Sequence, residues 1–206
     1  MALRVALTFD AEHPDRPADA GNAERLLDAL AAADVRATFF VQGRWAEAHP
    51  ATAGRIAADG HLVGSHSFYH ARMPLLSDAG FETDVRDAEA VIRETCGVDP
   101  RPWFRLPFGT GGDNPAVRAR IEALGYREVG WDVNPEDWEP ARSAADVAGR
   151  VVSGVTTCGD GAVVLQHTWP NATWAALPEI VGRLRDGGAS FVRVDELATV
   201  PDRHPG

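Results

Sequence analysis

The chain has 206 residues, 45% of them hydrophobic, and 30 acidic residues against 20 basic ones give a net charge of −10. That length suits one domain with a sizeable core, and the acidic balance offers no basic face to a nucleic-acid partner. Every basic residue is Arg, which excludes a lysine Schiff base and a P-loop lysine. No apolar run approaches the ~20 residues that span a bilayer. The first residues show neither the apolar core nor the cleavage site of a signal peptide. A cytoplasmic protein without a membrane partner is therefore expected. Cys96 and Cys158 stand alone in the sequence and are expected to be buried small apolar residues, not disulfide partners or zinc ligands.

In chain order, a β-rich run at residues 4–9 precedes a helical stretch at 23–33, and a run at 37–41 precedes a helix at 44–59. The alternation continues with 61–64 before 78–96, 103–106 before 114–124, and 128–133 before 144–155. Runs at 162–166 and 190–194 flank the last helix, at 174–186. Gly60, Gly97, Gly125 and Gly187 each follow a helix end, where the residue after the cap needs positive φ. Strands separated by helices build a parallel sheet. Seven of them in this length predict an α/β fold, a single-domain barrel with fewer than eight strands, over residues 1–206.

In such folds the chemistry sits where the strands end, at their C-terminal edge. Here the first strand ends in Asp10-Ala11-Glu12 and the third runs into His66-Ser67-Phe68-Tyr69-His70. The fourth ends in Arg105-Leu106-Pro107-Phe108, the fifth leads to Asn134 through Asp137 and Trp138, and the sixth ends in Gln166-His167. A His pair spaced i, i+4 lies on one side of a helical turn, where both rings reach one ion; the same spacing also suits two loop histidines that cap backbone groups. Asp10 and Glu12 face the same side if the strand continues through them, which suits one as metal ligand and one as base. Arg105, on extended backbone before Leu-Pro, suits the orientation of a buried acid. His167, at the mouth of an apolar strand, is a candidate general acid. Phe108, Trp138 and Tyr69 are candidates for contact with substrate.

These residues resemble the polysaccharide deacetylases, carbohydrate esterase family 4. Thr8-Phe9-Asp10 matches the start of that family's first motif, and His66-Ser67-Phe68-Tyr69-His70 its His-Ser/Thr-x-x-His motif. Arg105-Leu106-Pro107-Phe108 matches Arg-x-Pro-Tyr/Phe. Residues 134–138 approximate Asp-x-x-Asp-Trp, Leu165 with His167 approximates the last motif, and residues 37–41 look like the family's second strand.

The resemblance implies a distorted (β/α)7-type barrel. It also implies a hydrolase that removes an acyl group, foremost N-acetyl, from a carbohydrate. A divalent metal (zinc, with cobalt or nickel as alternatives) would be held by a carboxylate and the two histidines, and its water would attack the acyl carbonyl. Two departures redistribute the roles. Ala11 stands where the family has its metal-binding Asp, so the ligand role passes to Glu12 with His66 and His70 and Asp10 keeps the role of base; if Glu12 does not reach, Asp10 has to ligate or the site is metal-poor. Asn134 replaces the first acid of the fourth motif, leaving Asp132 or Asp137 to orient His167. His13-Pro14 replaces the usual Gly-Pro, and amides near Pro107–Gly109 are expected at the oxyanion. The expected substrate is a small carbohydrate or glycosylated metabolite. The alternatives are a C–N hydrolase acting on a non-sugar amide, ureide or cyclic imide, and a metal-poor sugar-binding homologue.

Overall fold

The computed structural model describes residues 3–16 and 19–202. Its organising strand is β1 (Leu3–Ala11). One edge of β1 pairs with β6 (Ala162–His167) from Val5 to Asp10. The other edge takes β7 (Ala189–Phe191) over Leu3–Val5 and then β2 (Thr38–Val41) from Thr8 onward. Beyond β2 follow β3 (Leu62–Ser65), β4 (Trp103–Phe104) and β5 (Arg127–Glu128), all parallel, in the order β5-β4-β3-β2-β1-β6. The connecting helices are α1 (Asn22–Ala32), α2 (Gly43–Ala48), α3 (Pro50–Ala58), α4 (Asp78–Cys96), α5 (Pro115–Ala123), α6 (Ala144–Cys158) and α7 (Asn171–Asp186). The sheet curls until the segment after β5 meets β6, where Val133 bridges Val164. This is the expected distorted (β/α) barrel. No helix among the described residues is long and apolar enough to cross a membrane.

The two-residue period of the strands sorts the core into two layers. Val5, Leu7, Phe9 and Ala11 of β1 face the helices, packed with Phe39, Leu26, Val151 and Ile180. Ala6 faces inward with Phe40, Trp131, Val163 and Leu165. A fully buried side chain of this size contributes roughly 1.5–3 kcal/mol. The inward series of β1 continues as Thr8, Asp10 and Glu12, all buried, so apolar filling gives way to polar groups at the C-terminal rim. Gly64, on the inward face of β3, is required by packing: a Cβ there would lie 2.8 Å from the Phe40 ring.

Several expected elements change for local reasons. The helix expected over 44–59 is broken at His49, whose φ of −132° is extended because Pro50 disfavours helical geometry in the residue before it. The strand expected over 128–133 shortens to Arg127–Glu128, because the carbonyls of Val129 and Gly130 accept from the Arg105 side chain. The strand expected over 190–194 is Ala189–Phe191, and Val194 instead opens a 3-10 turn over Val194–Glu196. Positive φ falls on Gly60, Gly97 and Gly125 as expected, but at the end of α7 on Gly188 instead of Gly187. Cys96 is buried, whereas Cys158 is exposed at the end of α6.

Candidate active site

Asp10 and Glu12 project into the barrel because β1 runs on through Ala11, whose side chain is buried against the helices. A carboxylate at position 11 would therefore point into the apolar layer, and Glu12 occupies the position that faces the histidines. Its Oε2 lies 2.6 Å from His70 Nε2 and 3.2 Å from His66 Nε2. Asp10 Oδ2 is farther from His66 Nε2, at 3.6 Å, and its Oδ1 accepts from Arg105 Nη1 at 2.9 Å.

Arg105 is wholly buried, and its guanidinium makes four hydrogen bonds. Nε donates to the Val129 carbonyl (3.1 Å), Nη1 to Thr8 Oγ1 (2.8 Å) and to Asp10, and Nη2 to the Gly130 carbonyl (3.0 Å). The Phe40 ring lies beneath it, 4.1 Å from the guanidinium carbon. Burial pushes the guanidinium below its ordinary pKa, and the Asp10 charge works in the opposite direction. A buried cation in this setting needs such acceptors, and four of its five N–H groups have one.

The segment from His66 to His70 is a loop, not the helical turn expected from the spacing; Ser67 and His70 have left-handed φ of 63° and 57°. Asp84 of α4 holds it there, its two oxygens accepting from the Phe68 and Tyr69 amides at 3.0 Å each. The rings still converge, with centroids 4.8 Å apart. His66 Nδ1 donates to the Arg105 carbonyl at 2.8 Å, which turns Nε2 toward the carboxylates. His70 Nδ1 has no partner among the described residues.

On the opposite wall, Asp137 fixes His167. One oxygen meets His167 Nδ1 at 2.7 Å; the other accepts from the His167 amide (2.8 Å) and from Thr173 Oγ1 (2.6 Å). Burial lowers the proton affinity of His167, but the Asp137 charge and hydrogen bond more than offset it and raise its pKa to about 9. Glu12 behaves differently. Its burial favours the neutral acid, yet hydrogen bonds from His13, His66 and His70 hold it well below the usual carboxylate range. Of the two acids expected to orient His167, Asp137 does so, while Asp132 accepts from the Val163 amide.

A cavity of about 450 Å³ joins these groups, lined by Asp10, Glu12, His66, His70, Phe108, Trp138 and His167. Trp138 stands edge-on to His167 at 5.2 Å, and Phe108, 53% exposed, sits at the mouth 4.3 Å from His70. Tyr69 is not part of this lining: it is 62% exposed, with its ring against Phe68. At the turn after Arg105, Pro107 has no amide hydrogen and the Gly109 amide is given to the Leu106 carbonyl, which narrows the expected oxyanion donors to Phe108.

Glu12, His66 and His70 bring one oxygen and two imidazole nitrogens within 4.8 Å of one another, all buried. Two imidazoles and a carboxylate are a donor set suited to a divalent metal with open positions, and the tautomer imposed on His66 suits it further. A second group, Asp10, Glu12 and His167, meets the same distance limit; there one oxygen of Asp10 is bonded to Arg105 and one nitrogen of His167 to Asp137, while Asp10 Oδ2 and His167 Nε2 face the cavity.

Three residues of this region escaped the sequence reading. Asp84 had a signal, a carboxylate in the apolar stripe Phe81, Val85, Ala88 and Ile92 of α4. His13 stands out in the sequence only as part of the His13-Pro14 that replaces Gly-Pro, yet its Nε2 lies 3.1 Å from Glu12 Oε1. Gln42, which accepts from the His13 amide, showed none.

The family described as polysaccharide deacetylase matches residues 2–129. A peptidoglycan-N-acetylglucosamine deacetylase of Listeria monocytogenes is 33% identical over 195 residues, covering 94% of this chain and 38% of that protein. The chain thus spans well under half the length of that relative. The solved family 4 carbohydrate esterase from Streptomyces lividans, in complex with acetate, is 32% identical, with a TM-score of 0.79 over 92% of this chain and 91% of that one. A family 4 pseudoenzyme from Bacillus anthracis superposes with a TM-score of 0.84 at 26% identity, over 95% of this chain and 65% of that one. With the motifs in order along the same barrel, this chain belongs to the polysaccharide deacetylase family.

Proposed function

We propose that this chain is a metal-dependent hydrolase that removes an N-acetyl group from a carbohydrate. The observation that carries this reading is the meeting of Glu12 with both histidines at 2.6 and 3.2 Å, between the Asp10–Arg105 pair and the His167–Asp137 pair. Glu12, His66 and His70 would hold the cation, zinc before cobalt or nickel. When bound, a divalent cation polarises an acyl oxygen and lowers the pKa of water.

The chain's own residues supply the remaining steps. Asp10, aimed by Arg105, accepts the proton of the attacking water at Oδ2, the oxygen that Arg105 leaves free. The Phe108 amide is the remaining backbone donor for the developing oxyanion. His167, protonated up to about pH 9, gives its Nε2 proton to the departing amine, and Asp137 keeps Nδ1 in place. Trp138 and Phe108 provide apolar faces for a sugar ring.

The substrate expected from the sequence was a small sugar. The Listeria relative is named for action on peptidoglycan, which favours a glycan polymer or its oligosaccharides. Acetate release from N-acetyl monosaccharides, oligosaccharides and peptidoglycan, with zinc, cobalt or nickel and after chelation, tests the proposal. Metal-dependent release supports it. Absence of release from every acetylated glycan, alongside hydrolysis of a ureide or cyclic imide, would overturn it in favour of the non-sugar alternative. A metal-poor homologue is disfavoured by the intact donor set at Glu12.

A further inference from the structure

We infer that His13 is a positioning residue that occupies one oxygen of Glu12, so that this carboxylate serves a cation through its other oxygen alone. The inference rests on the metal-site reading above. The two oxygens of Glu12 have separate surroundings. Oε2 faces His70 and His66 at 2.6 and 3.2 Å, whereas Oε1 lies 3.1 Å from His13 Nε2 and 3.8 Å from His167 Nε2.

Adjacent residues on an extended strand point to opposite faces. Had β1 continued past Glu12, the His13 ring would have turned away from the carboxylate. It returns because His13 adopts a left-handed backbone, φ 56°, a conformation that residues with a Cβ seldom take. The surroundings enforce it. The His13 amide donates to Gln42 Oε1 at 2.8 Å, the Gln42 amide donates to the Ala11 carbonyl at 2.9 Å, and the Arg16 amide donates to the His13 carbonyl at 3.0 Å. Gln42 is itself buried, and the His13 ring lies edge-on to His70 at 4.5 Å. Both neighbours of Glu12 are thus clasped by one side chain and its own amide.

The chemical consequence concerns coordination number. A Glu side chain has one more rotatable bond than Asp, and an untethered carboxylate can chelate with both oxygens. Chelation would fill a position needed by water or by the acyl oxygen. A ring held on Oε1 prevents that and leaves the open positions of a hydrolytic site.

The test uses cobalt-loaded protein, whose visible absorption reports coordination number, together with cobalt stoichiometry and kinetics for wild type, His13→Ala, His13→Gln and Gln42→Ala. His13→Ala should still bind one cobalt per chain but lose visible intensity severalfold, as the second oxygen joins. Its kcat should fall roughly 10–100-fold, a size common for partners of metal ligands, with KM little changed. His13→Gln, which keeps a side-chain N–H, should restore most of both. Gln42→Ala should show the same spectral change in smaller measure, which covers the case of a misfolded His13→Ala. An unchanged spectrum and kcat in His13→Ala, with cobalt bound by wild type, would overturn this inference alone. Loss of bound cobalt in His13→Ala without rescue by Gln would overturn it by making His13 a ligand. Failure of wild type to bind cobalt would overturn both this inference and the metal-site reading.

Discussion

Arg105 and Asp10, 95 residues apart in sequence, meet at 2.9 Å inside the barrel, and the same guanidinium draws the carbonyls of Val129 and Gly130 away from strand pairing. One side chain thus aims the proposed base and shapes the end of β5. Arg105→Lys keeps the charge but replaces a planar fork by a point, which cannot reproduce bonds to Val129, Thr8, Asp10 and Gly130 together. Stability should fall by about 1–3 kcal/mol in denaturant titrations. A variant as stable as wild type would show that charge alone suffices.

Asp10→Asn should leave metal content intact while kcat falls on the order of 10²–10⁴-fold, the range of general acid–base contributions. Single-turnover rates and elemental analysis on the same sample check it. Near-normal turnover would remove Asp10 from the role of base.

Glu12→Ala deletes the only carboxylate in the Glu12–His66–His70 donor group. Bound zinc should drop well below one per chain after dialysis. Full zinc occupancy in this variant would pass the ligand role to Asp10.

Asp137→Asn removes the largest of the charges that raise the His167 pKa to about 9, leaving burial opposed only by the weaker pull of Glu12 and Asp10. The alkaline limb of activity should move to lower pH, since a group protonated below its pKa is lost as acid sooner when that pKa falls. A limb that stays in place would mean that His167 does not set it.

Away from the site, His61 is buried, and its Nδ1 accepts from the Ala37 amide at 3.0 Å; burial lowers its pKa to about 4. The folded state therefore favours neutral His61. Its contribution is complete above the unfolded value near 6.5 and is lost as pH falls from there toward 4, a change of order 3 kcal/mol. Melting temperature measured between pH 7 and 4.5 should decline in wild type and decline less in His61→Gln. Parallel curves for the two proteins would exclude His61 as the source.

Much of the site was legible because it is written in short-range patterns. Period-two alternation places Asp10 and Glu12 on one face of β1, and the βα alternation places five strand ends on one rim. Asp84, His13 and Gln42 were less accessible. Asp84 and Gln42 act through contacts between distant segments, such as the Asp84 carboxylate on the Phe68 and Tyr69 amides, and His13 reaches its neighbour Glu12 only through a left-handed backbone; local periodicity carries no information on either.

By itself, then, the sequence determined the layered α/β architecture, the inward direction of the carboxylates and the order of the family's motifs. Only the tertiary structure decided which carboxylate faces the two histidines, which acid holds His167, and where the fifth strand ends. The physical reason is that strand faces follow from neighbours in the chain. Distances among Glu12, His70, Arg105 and Asp137 follow instead from sheet register and from the competition of buried polar groups for the same partners.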